Sequence, residues 1–288
     1  MKVVNPKVFF IAETKVVDRG MQLFLDHVGA GDWKTDAPSD AERLAEVAGR
    51  SCYRSFDPDL NPNLTEVREG NQPYVANILQ KKHGSVLEHS SVTFAFCDVS
   101  RVFTHELVRH RAGMAYSQES LRFVRLTVLD ARYPEAFEEK TLGELYDGLQ
   151  KAGKVPADGR GKEEWVEDRV SMLHDHFTGT FEHLEKVQQT ISAELYLDDL
   201  PKSFRTKKVI TSAMRRMAPI GLATFIIATG NHRAWRHQIA VRTAAGAEEE
   251  IREVFAQVAG IMKEEFPNIY QDMQEQGDGS FAFENEKV

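Results

Sequence analysis

Arg109-His110-Arg111, followed closely by Ser117-Gln118-Glu119-Ser120 and Arg122, is the densest group of chemistry-bearing side chains in this sequence. Guanidinium forks grip phosphate or carboxylate oxygens two at a time, so the cluster predicts a phosphorylated ligand. Cations near a helix C-terminus also complement its dipole, and that simpler account covers one or two of them. It does not cover Arg122 and Arg125 further on, or the polar Tyr116-Ser117-Gln118 turn between. A second basic block runs from Lys202 to Arg242, with nine Lys or Arg and no Asp or Glu.

The elements that must position these groups follow from periodicity. Val102, Phe103 and Leu107 recur at helical spacing, which predicts a helix ending at Arg109–Arg111 with Gly113 as its stop. Val92 to Val99 alternates as a strand and leads into that helix, and Lys7 to Glu13 reads as another strand. Arg122 to Leu129 is a further strand candidate. After Pro219, GLATFIIATG is too short for a membrane span and predicts a buried strand or helix. Asp40 to Arg50 reads as an ordinary surface helix with Leu44, Val47 and Ala48 facing inward. Glu164 to Glu194 carries an apolar face through Val170, Leu173, Phe177, Phe181, Leu184 and Val187; it reads as scaffold, and His174 and His176 on it take no function. Ala247 to Phe266 is an amphipathic helix, Gly153 to Glu163 a surface loop, and the tail after Gln276 frayed and polar.

Composition bounds the rest. With 288 residues, 42% of them hydrophobic, and no repeat, the chain reads as a single domain over 1–288 with a loop near 153–163. A net charge of −8 argues against nucleic acid and acidic membranes as partners. Cys52 and Cys97 lack metal or redox spacing, and neither has a flank that would activate a thiolate. MKVVNPKVFF lacks the regions of a signal peptide, so a reducing, cytoplasmic setting is expected. His105 and His110 are five apart and point about 140° away from each other on a helix, which excludes the zinc-protease pattern. His83, Glu88 and His89 have no further ligand nearby, so no metal is expected. Gly29-Ala30-Gly31 lacks the third glycine of a dinucleotide turn, and a nucleotide cofactor would have to be held by arginine and polar side chains.

Arg109-His110-Arg111 with Ser120 and Arg122 resembles the signature of the flavin-dependent thymidylate synthases. His83-Gly84-Ser85-Val86-Leu87-Glu88-His89 resembles that family's segment upstream, and Arg215, Pro219, Asn231, Arg233, Trp235 and Arg242 resemble its C-terminal half. The resemblance covers roughly Lys82 to Phe266. It implies an α+β fold with a central, mostly antiparallel sheet and flanking helices, and a homotetramer with active sites shared between subunits. It also implies reductive methylation of dUMP to dTMP, with 5,10-methylenetetrahydrofolate supplying the carbon, FAD the reducing equivalents and NADPH refilling the flavin. FAD, dUMP and folate are all anionic, which agrees with the basic blocks.

Carried over residue by residue, Ser85, Arg109, His110, Arg111, Gln118, Asn231, Arg233 and His237 resemble the FAD-binding set. Glu106, Arg109, Gln118, Glu119, Ser120, Arg122, Arg215 and Arg242 resemble the dUMP-binding set. Arg242 and Ser120 are the catalytic candidates, since a fixed cation beside the pyrimidine stabilises the charge that develops on the activated ring. Without the motif, Ser120 reads equally as a turn serine satisfying local backbone. The sequence departs from the family pattern in three places. Ala112 to Glu119 puts eight residues between Arg111 and Ser120, one more than the pattern, which implies a bulge near Gly113-Met114. Glu106 and Gln118 stand where many members carry Gln and Glu. Two alternatives stay open on sequence: a related flavoenzyme acting on another pyrimidine nucleotide, and a non-enzymatic nucleic-acid binder using the Lys202–Arg242 block. The sparse aromatics there, Phe204, Phe225 and Trp235, argue against the binder.

Overall fold

The structure is a computed structural model. It describes residues 2–64, 67–124, 128–134, 137–154, 159–197, 199, 204–286 and 288, of which 204–207 are described as backbone only. The element order is β1 (Val3–Val4), β2 (Lys7–Glu13), α1 (Asp18–His27), α2 (Asp40–Tyr53), α3 (Asn71–Gln80), β3 (Ser91–Val99), α4 (Arg101–Leu107) and β4 (Met114–Gln118). It continues with β5 (Ala131–Arg132), α5 (Glu139–Lys151), α6 (Lys162–Glu194), α7 (Phe204–Met214), β6 (Thr224–Asn231), α8 (His232–Thr243), α9 (Glu249–Glu265), β7 (Met273–Glu275) and β8 (Phe281–Phe283). Four strands in the order β2, β3, β6, β4 form the antiparallel central sheet, and the α+β class follows. β1 pairs with β5 in parallel, and β7 with β8 antiparallel. Contacts group the chain into two compact units, one of Met1–Lys7, Cys97–Glu106 and Gln118–Ile226, the other of Val8–Phe96, Leu107–Ser117 and Ile227–Val288.

In the second unit, the alternation of β3 buries Val92, Phe94 and Phe96. Trp235 of α8 meets the Phe94 ring edge-on at 5.2 Å and donates its indole N–H to the Val92 carbonyl at 3.2 Å. That bond lets a polar handle sit in an apolar core. Helix α9 buries Ile251, Val254, Phe255, Val258, Ala259 and Met262, an i, i+3, i+4, i+7 stripe whose members larger than Ala259 each contribute about 1.5–3 kcal/mol on burial.

Helix α2 corrects one expectation. Its charged side is the buried one: Glu42, Glu46 and Arg50, four residues apart, are fully inside, while Leu44 and Ala48 are half-buried. Ser39 caps the helix in a capping box, its hydroxyl bonded to the Glu42 carboxylate at 2.7 Å. Glu42 also accepts the backbone N–H of Asn268 at 2.6 Å, and burial still raises its pKa against those bonds. Arg50 pairs with Glu46 at 2.7 Å and stacks over the Tyr74 ring at 4.3 Å. A buried charge is tolerable only when so satisfied.

His232 lies in the same core, 4.6 Å from the Phe266 ring centroid and 3.3 Å from the Tyr270 hydroxyl. Burial, helped by Arg236, pushes its pKa from 6.5 down to about 3. The unfolded chain then binds a proton that the folded chain refuses, so stability is complete above pH 6.5 and falls as pH drops toward 3. His232→Asn, which keeps a nitrogen near the Nδ1 position, is expected to fall less steeply in urea midpoints measured across that window. An unchanged slope would contradict this assignment.

The first unit is built on the 33-residue helix α6. Phe181 and Leu184 join Leu121, Leu129, Ala131 and Leu222 in its core, with Phe177 packed alongside. Val170, Leu173 and Val187 of the expected apolar face are only half-buried, and Gln188 is buried in their place. The Arg122–Leu129 strand is not formed at its described residues: Leu121–Val124 is a turn, its carbonyl at Ser120 accepting from Phe123 and Val124. Arg125 lies outside the described residues, as do Lys202 and part of the 153–163 loop. The tail is not frayed, because β7 and β8 form a hairpin. Among the described residues no helix is long and apolar enough to cross a membrane.

Candidate active site

The Arg109–Arg111 triplet follows α4 without belonging to it. The helix stops at Leu107, whose carbonyl accepts the His110 N–H at 3.1 Å. Gly113 therefore serves the next turn, at φ 70°, where a Cβ would approach Asn231 Nδ2 to 2.7 Å. Only glycine fits both demands. Tyr116-Ser117-Gln118, expected as a polar turn, is strand β4.

In the second unit, Asn231 ties this turn to α8. Its N–H donates to the Gly113 carbonyl at 3.2 Å, and its Oδ1 caps the helix by accepting the Ala234 N–H at 2.8 Å. Farther along α8, the His237 ring lies edge-on to His110 at 6.0 Å. Buried Arg242 donates from Nε to His110 Nε2 at 2.6 Å. The acceptor nitrogen must be unprotonated, so the imidazole carries its proton on Nδ1. Tyr116, absent from the sequence-based set, clamps the turn by donating its hydroxyl to the His110 carbonyl at 2.7 Å. Burial pushes its pKa up to about 12 against Arg111 and Arg242, which keeps it a donor at neutral pH. Arg109 and Arg111 themselves are exposed. Arg233 is held by Glu88 at 2.5 Å and by the Val288 carbonyl at 2.7 Å, with its Nε close to Gly84, the residue before exposed Ser85. Glu88, set aside in the sequence as a metal ligand, thus orients a candidate cofactor contact.

In the first unit, Gln118 donates to the Thr104 hydroxyl at 3.0 Å. Glu119 accepts from Thr224 at 3.4 Å, and burial raises its pKa against that bond and the Arg101 charge. Arg101, which pattern reading missed at the first turn of α4, reaches the Glu119 carbonyl at 3.4 Å. Ser120 accepts the Arg122 N–H at 3.3 Å, a local turn role. Glu106 is half-buried in the last turn of α4. Arg122 and Arg215 line one cavity of about 550 Å³. The sequence-based residues therefore gather into two groups, one in each unit.

Two solved structures share this fold. A UMP/dUMP methylase from Streptomyces cacaoi, bound with 5-Br dUMP, superposes with a TM-score of 0.57 at 17% identity over 94% of this chain and 96% of its own. A thymidylate synthase X from Helicobacter pylori, with FAD and dUMP, gives 0.51 at 17% identity over 93% and 98%. The profile of the thymidylate synthase complementing protein family matches residues 35–268. A flavin-dependent thymidylate synthase from Mycobacteroides abscessus is 34% identical over 241 residues, covering 84% of this chain and 82% of the relative. One from Corynebacterium diphtheriae is 31% identical over 246 residues, covering 84% and 83%. The chain belongs to the flavin-dependent thymidylate synthase family.

Proposed function

We propose that this chain converts dUMP to dTMP, taking the carbon from 5,10-methylenetetrahydrofolate and reducing equivalents from NADPH through FAD. Family membership supports the reaction class, and one observation carries the site: His110 and Arg242, from two basic blocks far apart in the sequence, meet at 2.6 Å. The donor set suits an anionic dinucleotide, with guanidinium, amide and imidazole groups from Arg109, His110, Arg111, Asn231, Arg233 and His237, joined by Ser85 and Gln118. FAD would supply the hydride chemistry there. Asn231 and Tyr116 fix the turn that presents Arg109 and Arg111, and Glu88 aims Arg233. Neutral His110 holds the Arg242 guanidinium in place, and that fixed cation would stabilise negative charge developing on the pyrimidine. Arg122 and Arg215 would take the phosphate, with Glu106, Arg109, Gln118, Glu119 and Ser120 orienting the nucleotide.

Neither thiol has a role in this scheme, and burial holds the Cys97 thiol above its ordinary pKa, away from the thiolate form. Residues 1–288 would act as one functional domain, in a cytoplasmic homotetramer whose sites are shared between subunits. The fold shared with a UMP/dUMP methylase favours one second reading, a wider pyrimidine range. Purified protein should be yellow and release FAD, not FMN, on denaturation. Colourless protein that takes up no FAD would refute the assignment, and equal turnover of UMP would favour the second reading.

A further inference from the structure

Helix α6 carries a stripe of Phe177, Phe181 and Leu184 that packs into the first unit's core, and the next position on that stripe is Gln188. Gln188 is 5% exposed, and among the described residues its Oε1 is buried with no hydrogen-bond partner. An orphaned buried carbonyl is destabilising, and a leucine would continue the stripe without that cost. The residue lines a cavity of about 140 Å³, with Phe123, Leu197 and Met214 among its walls. Arg122 and Lys208 border this cavity and also the neighbouring one of about 550 Å³, where Arg215 and Arg216 join them. No acidic side chain lines either cavity among the described residues. Lys208 is held in place, its Nζ 4.7 Å over the ring of Phe123. Arg122 is steadied by Ser212 at 3.4 Å.

We propose that Lys208 and Gln188 are further nucleotide-binding residues, Lys208 holding the phosphate beside Arg122 and Arg215, and Gln188 accepting a hydrogen bond from a sugar hydroxyl. The inference rests on the reading of Arg122 and Arg215 as phosphate holders. Its chemistry is that of a phosphorylated sugar: a dianion among cations and hydroxyl donors beside a buried acceptor. A lysine lost from such a site removes a charge-assisted hydrogen bond, and dUMP binding should weaken roughly ten- to hundredfold.

The test measures dUMP affinity by calorimetry on flavin-loaded protein, together with thermal midpoints with and without dUMP, for the parent, Lys208→Met and Gln188→Leu. Lys208→Met should bind dUMP weakly and bind deoxyuridine, which has no phosphate, as the parent does. Gln188→Leu should be at least as stable as the parent without nucleotide, yet gain less stabilisation from dUMP. A glutamine that is only part of the core would leave that gain unchanged. If the parent binds dUMP and both variants bind it equally well, the inference is overturned and the proposed function stands. If the parent ignores dUMP but binds inorganic pyrophosphate through Lys208, the anion site stands and the proposed function falls. Binding of neither ligand by the parent overturns both.

Discussion

Arg242→Lys is expected to lower the turnover of dUMP about ten- to hundredfold, with FAD still bound. Lysine keeps the charge but loses the planar fork, and a charge-assisted hydrogen bond in a closed site is worth about 1.5–3 kcal/mol. Arg242 is buried and its Nε is taken up by His110, so the guanidinium cannot swing to a new position without breaking that bond. The loss should appear in kcat and kcat/KM alike, because the partner gains charge only in the transition state. Arg215→Lys, at an exposed position lining the Arg122 cavity, should instead act mainly on dUMP binding. Steady-state kinetics with the flavin content measured on the same samples separates the two. Parent-like turnover in Arg242→Lys would remove Arg242 from the chemistry.

The largest stability effect is expected at Arg236→Met, which should destabilise the fold by about 3–5 kcal/mol. Arg236 and Asp272 are both buried and bonded twice, at 2.7 and 2.9 Å. Burial works to raise the Asp272 pKa, but the Arg236 bonds and charge with the Asn285 contacts outweigh it and hold it below the usual value. Arg236 also donates to the Ile269 carbonyl at 2.7 Å and stacks on Phe283 of β8 at 4.1 Å, which pins the C-terminal hairpin. Losing the arginine leaves a carboxylate buried without its cation. Arg236→Met combined with Asp272→Leu should recover most of the loss, because the cost lies in the unpaired charge. Urea denaturation of the three proteins reads both results, and a single variant within about 1 kcal/mol of the parent would contradict them.

Where side-chain periodicity decided the structure, the sequence was readable. β3 within Ser91–Val99 and α9 across Glu249–Glu265 lie where alternation and helical spacing put them, and β2 over Lys7–Glu13 where apolar and aromatic density does. Partners distant in sequence were not readable. Nothing local says that Glu42, Glu46 and Arg50 turn inward, since Tyr74, Asn71 and Asn268 must first arrive to satisfy them. The C-terminal hairpin looked polar because its anchor is Arg236, far upstream. The signature cations could be picked out by type, yet the Arg242–His110 bond, the Tyr116 clamp and the placement of Arg101 are products of tertiary packing. Gln188 is visible in the sequence as a polar residue on an otherwise apolar stripe.

Methylation of dUMP by this chain can be followed through a labelled methylene carbon. Protein loaded with FAD is mixed with dUMP, NADPH and 5,10-methylenetetrahydrofolate labelled at the methylene group, and the nucleotide product is analysed by mass and by position of the label. The expected product is dTMP carrying the label in its 5-methyl group, formed only when NADPH and FAD are both present. Unchanged dUMP, or a labelled 5-hydroxymethyl product in place of dTMP, would contradict it.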